Sequence, residues 1–330
     1  MAKKYSVIGI GNAIVDALTK VDERFLESSH YHKGSMTLID DKEARKLANL
    51  QYEKISSGGS VANSVTTIAG LGLKTAFIGK VSAGHYGDIF CDDLAKSNVD
   101  FYCKNKDVLE TTAKSFIMIT PDGQRTMRTF LGNASNIVDE IDEAAIENSE
   151  ILYIEGYLWD QKEIIQSIKK AIKIAKKHNN LIAFSLSDGF CVKRHRNDFL
   201  ELIKETNIVF SNESEIESLL EVESLDLNWV KDLVKSNPNL ILVMTQGEKG
   251  AVIFDGKNGG NFIKIPSENI VEIIDSTGAG DSFAAGFLYG LSKQYDLKKS
   301  AEIGNLIASK VIQKIGARLD REELEKLNIK

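Results

Sequence analysis

The stretch IIDSTGAGDSFAAGF, residues 273–287, sets three glycines and two aspartates at the entry to an otherwise apolar, helix-like run. The start of a helix leaves backbone N–H groups unpaired and carries partial positive charge, so it favours an anion. Gly278, Ala279 and Gly280 carry little or no side chain to hold a phosphate away from those donors. Asp281 follows directly, where a carboxylate can take the proton of a group attacking that phosphate. The pattern points to phosphoryl transfer.

Outward from this stretch, strand-like and helix-like segments alternate. Apolar runs suited to strands are YSVIGIG (5–11), TAFIGKV (75–81), ILYIEGY (151–157), LIAFSLS (181–187), NIVFSN (207–212) and LILVMTQG (240–247). Helix-like stretches such as VANSVTTIAGLG (61–72) and KEIIQSIKKAIKIAKKHNN (162–180) lie between many of them. The second of these places apolar residues on one face and lysines on the other. Buried strands separated by amphipathic helices imply an α/β fold, a mostly parallel central sheet covered on both faces.

One region departs from the alternation. AKSFIMIT (113–120) and RTMRTFL (125–131) flank Pro121-Asp122-Gly123, the signature of a hairpin turn. With the segment around MTLID (36–40) it reads as a small β element, suited equally to a sheet extension, a dimer contact or a lid that excludes water. The expected organisation is one domain over 1–330 whose small β element comes from segments around 13–40 and 100–132.

Composition excludes other classes. Hydrophobic residues make up 43% and charged residues 27%, ordinary for a globular domain of 330 residues. A net charge of −6 argues against nucleic-acid binding. No apolar run approaches membrane-spanning length, and MAKKYSVIGIG reads as a strand without a signal peptide. Cys91, Cys103 and Cys191 lie far apart, which suits reduced thiols and a cytoplasmic setting.

Further stretches suit a kinase, although each has a plainer reading. Asn12 and Asp16 follow the first strand at the edge where α/β sheets bind ligands; a turn asparagine and a surface aspartate are the plain alternative. Gly58, Gly59 and Asn63 in SSGGSVAN allow close backbone approach and an amide grip on a polyhydroxy ligand. An ordinary glycine loop is the alternative. Asn212 and Glu215 in SNESE suit either water-mediated Mg²⁺ binding or a helix cap. Thr245, Gly247 and Gly250 in TQGEKG leave room for a nucleotide, or form a β-turn.

Taken in order, these stretches resemble the ribokinase-like (PfkB) family of carbohydrate and nucleoside kinases. The likeness rests on GGSVANSVTTIAGLGLKTAFIGKVSAGHYGD, on DSTGAGD (275–281), on Asn212 to Glu215 and on Thr245 to Gly250, and spans nearly the whole chain. Neither the P-loop signature nor an HRD-type catalytic loop is found. The resemblance implies Asp281 as base and the 278–280 backbone as anion hole. It implies that Asp16, Gly58, Gly59 and Asn63, beside Asn12, hold the acceptor. Thr245, Gly247 and Gly250 would line the ATP site with Asn212 and Asn305. Glu215 would act on Mg²⁺ through water, while Asp275, Thr277 and Gly316 resemble a monovalent-cation site suited to K⁺. With an ordinary pKa of about 3.9, the base needs placement more than basicity.

Within the family the chain is most similar to the adenosine-kinase branch, through GNAIVDALTKVDERFLESSHYHKGSMTLID, LSDGF and IVFSNESEI. Met36 and Leu38 would then wall the base of a nucleoside, with Tyr157 adding an aromatic surface. A ribokinase- or fructokinase-type sugar kinase is the alternative, and a non-catalytic ligand-binding relative a more distant one. The expected partners are a small-molecule nucleoside or sugar, ATP and Mg²⁺, with no nucleic acid and no membrane, in a monomer or homodimer.

Overall fold

Alternate residues of the central strands are buried on opposite faces. Ile151, Tyr153, Ala183 and Val243 pack into one apolar core, while Leu152, Ile154, Phe184 and Leu242 pack into another. A strand buried on both faces reads as a continuous apolar run, which is why these segments stood out in the sequence.

The computed structural model describes residues 3–104, 111–268, 270 and 272–329. Its strands are β1 (Tyr5–Ile10), β2 (Ile14–Lys20), β3 (Met36–Leu38), β4 (Lys54–Ser57), β5 (Thr75–Ile78), β6 (Val99–Tyr102) and β7 (Ala113–Ile119). They continue as β8 (Arg125–Phe130), β9 (Ser149–Glu155), β10 (Leu181–Ser185), β11 (Ile208–Asn212), β12 (Ile241–Thr245), β13 (Ala251–Asp255) and β14 (Asn261–Ile265). The main sheet has the order β14-β13-β12-β11-β10-β9-β1-β5-β6. Pairing is parallel from β6 through β12 and antiparallel for β13 and β14. The expected α/β fold is present, as a mixed sheet.

Helices cover both faces. The helix Ile165–Lys177 buries Ile168, Ala171, Ile172 and Ala175 on one side, the spacing of a single helical stripe. Its first expected turn, Lys162–Ile164, is a tighter 3₁₀ segment. On the other side, Ser60–Gly70 contributes Val61, Val65 and Ile68, and Ala279–Ser292 contributes Phe283 and Phe287. No helix among the described residues is long and apolar enough to cross a membrane.

A second sheet, ordered β3-β8-β7-β2-β4, stands apart from the first. The expected hairpin is β7 and β8, antiparallel, with Gly123 at φ +79 in its turn. The outline differs from the expected one at two places. Val99–Tyr102 extends the main sheet beside β5, because Val99 and Phe101 pack into its core. Lys54–Ser57, not expected in the small sheet, pairs with β2 and brings the following glycines to the site. Residues 105–110 of the expected segment lie outside the described residues.

Candidate active site

The carboxyl end of β1 delivers Asn12, and the helix Ser60–Gly70 starts beside it. Buried Glu155, at the end of β9, ties the two together. Its Oε1 accepts from the Asn12 backbone N–H and from Asn12 Nδ2, each at 2.9 Å, and its Oε2 accepts from the Val61 N–H at 3.0 Å. Gln161 Nε2 donates to Asn12 Oδ1 at 3.0 Å, so the Asn12 amide is held at both ends. Burial pushes the Glu155 pKa up to about 7, although these donors oppose the shift.

Asp281 lies in the first turn of Ala279–Ser292, which packs against Ser60–Gly70. Ser60 Oγ donates to its Oδ1 at 2.7 Å and Asn63 Nδ2 to its Oδ2 at 2.8 Å, so each carboxylate oxygen has one partner. Ser64 Oγ fastens the Asp281 carbonyl at 2.9 Å. Desolvation raises the Asp281 pKa against the pull of Asn63, Ser60 and Arg318. The carboxylate is therefore more basic than its ordinary value suggests. Gly278 caps the helix at φ +71, and a Cβ there would stand 2.3 Å from the Ala317 carbonyl oxygen; only glycine fits that turn.

A cavity of about 550 Å³ runs from Asp281 toward the small sheet. Asn12, Asp16, Gly59 and Asn63 line its floor, and Met36, Leu38 and Tyr157 contribute to its walls, with Thr277 and Gly278 at one end. Gly58 sits behind Asp16, where a Cβ would approach within 2.2 Å of Oδ2. Desolvation pushes Asp16 up to about 7, opposed by Arg318 first and then Arg125. Ser187, a residue the sequence did not single out, holds φ +78 beside Tyr157. Its Oγ accepts from Gly156 N–H at 2.8 Å, and its carbonyl accepts from the Tyr157 hydroxyl at 3.3 Å.

A second cavity, about 240 Å³ and largely apolar, holds Thr245, Gly247, Gly250 and Asn305 around Ala279 and Gly280. Ile273 and Ser276 line both cavities, so the two meet at the segment 273–280. Asn305 is fixed by donating Nδ2 to the Pro266 carbonyl at 2.8 Å.

Other expected residues are placed elsewhere. Asn212 and Glu215 line neither cavity. They form a capping box: Asn212 Oδ1 accepts from Glu215 N–H at 2.9 Å, and Glu215 Oε2 accepts from Asn212 N–H at 3.1 Å. Glu215 Oε1 accepts from Asn212 Nδ2 at 2.7 Å, and burial pushes the carboxyl up to about 8. The helix-cap reading of this motif is thus present, with both oxygens of the buried carboxyl engaged by Asn212. Asp275 is buried too; its oxygens accept from Thr277 N–H at 2.9 Å and Gly316 N–H at 2.7 Å. It is also ion-paired with Arg125 of β8, whose guanidinium supplies positive charge where a monovalent cation was expected. This side chain does not fit as an open K⁺ ligand.

Sequence reasoning missed Ser60, Glu155, Arg125 and Arg318. Ser60 follows the glycine pair directly, and Glu155 is a lone carboxylate ending an apolar strand, so both left a signal. Nothing local marked Arg125 or Arg318.

A model of the pfkB family carbohydrate kinases matches residues 34–324. A probable sugar kinase from Rhizobium etli shares the fold with a TM-score of 0.91 at 34% identity, covering 98% of each chain. The adenosine kinase from Sinorhizobium meliloti does so with a TM-score of 0.91 at 35% identity, covering 98% of this chain and 99% of its own. The 5-dehydro-2-deoxygluconokinase of Clostridium beijerinckii is 26% identical over 282 residues, 81% of both chains. The chain thus belongs to the pfkB family of carbohydrate kinases, whose relatives here are sugar and nucleoside kinases.

Proposed function

We propose that the protein transfers the γ-phosphoryl group of ATP to the 5′-hydroxyl of adenosine. The observation that carries the transfer is the meeting of the two cavities at the 273–280 segment, with Asp281 lining the larger one directly after it. An acceptor resting on Asp16 and Asn63 in the larger cavity would present a hydroxyl to Asp281. ATP in the smaller cavity would bring its phosphates to the same helix start. As the acceptor oxygen bonds to phosphorus and the bond to the leaving ADP oxygen breaks, Asp281 takes the hydroxyl proton. The backbone N–H groups of residues 278–280 meet the charge on the transferred group. Mg²⁺ arriving with the nucleotide would supply further neutralisation of phosphate charge. The small sheet forms part of the larger cavity's wall and serves as its lid.

Adenosine as acceptor is supported by the apolar wall of Met36, Leu38 and Tyr157 and by the likeness to the Sinorhizobium enzyme. A free sugar would leave that wall unfilled. The second reading is an acidic sugar, as the name of the Clostridium relative suggests. Buried Arg125 favours it: the side chain lines the larger cavity while paired with Asp275, and would place a guanidinium within reach of a substrate carboxylate. A coupled assay with ATP and Mg²⁺ decides between them, using adenosine, inosine, ribose, fructose and 5-dehydro-2-deoxygluconate. Adenosine should give the highest kcat/KM. Faster turnover of any sugar than of every nucleoside would refute the adenosine reading and retain the kinase.

A further inference from the structure

Arg318 lies in the loop after the helix Leu297–Val311, far in sequence from every residue it touches. Its Nε donates to Asn63 Oδ1 at 2.7 Å and its Nη1 to Ser57 Oγ at 2.8 Å, and Nη2 reaches the Gly58 carbonyl at 3.5 Å. One planar guanidinium thus spans the end of β4, the glycine turn and the first turns of the following helix. The contact with Asn63 has a directional consequence. With Oδ1 taken by an N–H that can only donate, the Nδ2 group is left to face Asp281 Oδ2, as it does at 2.8 Å. The flipped amide would set N–H against N–H on one side and oxygen against carboxylate on the other.

We propose that Arg318 is the positioning residue of the site, fixing the Asn63 amide and so holding the acceptor floor and the Asp281 carboxylate in one arrangement. The inference rests on the kinase reading for the roles of Asp16, Asn63 and Asp281. Around the guanidinium stand the carboxylates of Asp16, Asp93 and Asp281. Lys54 and Arg125 also face Asp16, while the Asp281 carboxylate acts on Tyr153, Glu155 and Glu215. Arg318 is the first group opposing the desolvation of Asp16, and it opposes that of Asp281 as well. A lysine would keep the charge but not the fork that reaches Asn63 and Ser57 together.

The test compares Arg318→Met and Arg318→Lys with the wild-type protein by NMR without substrates, following the ¹³C carboxyl signals of Asp16 and Asp281 and the Asn63 side-chain amide. Arg318→Met should raise both carboxyl titration midpoints, that of Asp16 the more, since Arg318 is the first group opposing its desolvation and the last of those opposing that of Asp281. It should also replace the single Asn63 amide signal by an averaged one. Arg318→Lys should restore the midpoints and leave the Asn63 signal averaged, and this variant alone decides the matter if Arg318→Met does not fold. In kinetics, the lysine variant should show a raised KM for the acceptor and an unchanged KM for ATP. An unmoved Asn63 signal in folded Arg318→Lys, or unmoved midpoints in folded Arg318→Met, would overturn the proposal. Because the NMR signals need no turnover, an inactive wild-type protein would count against the kinase reading and leave this test decisive.

Discussion

Asn63 Nδ2 and Asp281 Oδ2 lie 2.8 Å apart although 218 residues separate them in the chain. Two helix starts, Ser60–Gly70 and Ala279–Ser292, are packed so that an amide expected to grip the acceptor also orients the carboxylate expected to take its proton. Removing that amide should therefore affect binding and turnover together. A hydrogen bond to a charged group contributes about 1.5–3 kcal/mol, so Asn63→Ala should lower kcat/KM for the acceptor by roughly 10- to 100-fold. A change confined to KM would reduce Asn63 to an acceptor contact.

Two glycines should respond in opposite ways. At Gly280 a Cβ meets nothing within 4 Å, and alanine suits a helix better by up to about 1 kcal/mol. Gly280→Ala should keep or raise Tm while its methyl group crowds the phosphate position, with kcat falling by about 10²-fold, the scale of a lost oxyanion donor. Gly58→Ala should displace Asp16, against which its Cβ would stand at 2.2 Å, and raise the acceptor KM by about tenfold or more. Steady-state kinetics beside thermal melts checks both.

Glu155 contributes to the pH dependence in the same direction as Asp16 and Glu215, whose carboxyls burial also raises. Its pKa is about 4.3 in an unfolded chain and about 7 in the folded protein. Between these values the native state holds a proton that the unfolded state has released, so stability falls as pH rises through that window. Tm should decline from pH 5 to pH 7, and Glu155→Gln should remove its share of the decline and leave that of Asp16 and Glu215. An equal slope in the variant would assign the dependence to other groups.

Glu215 offers a choice between two physical roles. As half of a capping box, its replacement by alanine should cost about 0.5–2 kcal/mol and lower Tm. The Mg²⁺ concentration for half activity should then stay unchanged. A raised Mg²⁺ requirement with an unaltered Tm would instead support the water-mediated role expected from the sequence.

How much of this was legible in the sequence depended on how local each signal was. Apolar runs such as ILYIEGY reported strands because both faces of the main sheet are buried, and Pro121-Asp122-Gly123 reported its turn through backbone geometry. Gly278 to Asp281 could be read because the anion-binding chemistry belongs to one helix start. Lys54–Ser57 could not, since half-exposed residues show no burial pattern and only pairing with β2 makes them a strand. Arg125 and Arg318 were hidden for a related reason. Each is an ordinary arginine until folding sets it against Asp275 or Asn63, and neither partner is nearby in sequence.

The central claim is that Asp281 accepts the proton of the phosphorylated hydroxyl, and Asp281→Asn tests it most directly. With its oxygen accepting from Asn63 Nδ2 and its N–H donating to Ser60 Oγ, the amide can satisfy both neighbours, so the fold and both cavities should persist, whereas it cannot take a proton. Single-turnover kinetics with ATP and adenosine, read beside calorimetric binding of each, should show a rate lower by about 10²–10⁴-fold with affinities largely retained. A phosphoryl-transfer rate near that of the wild-type protein would contradict the account.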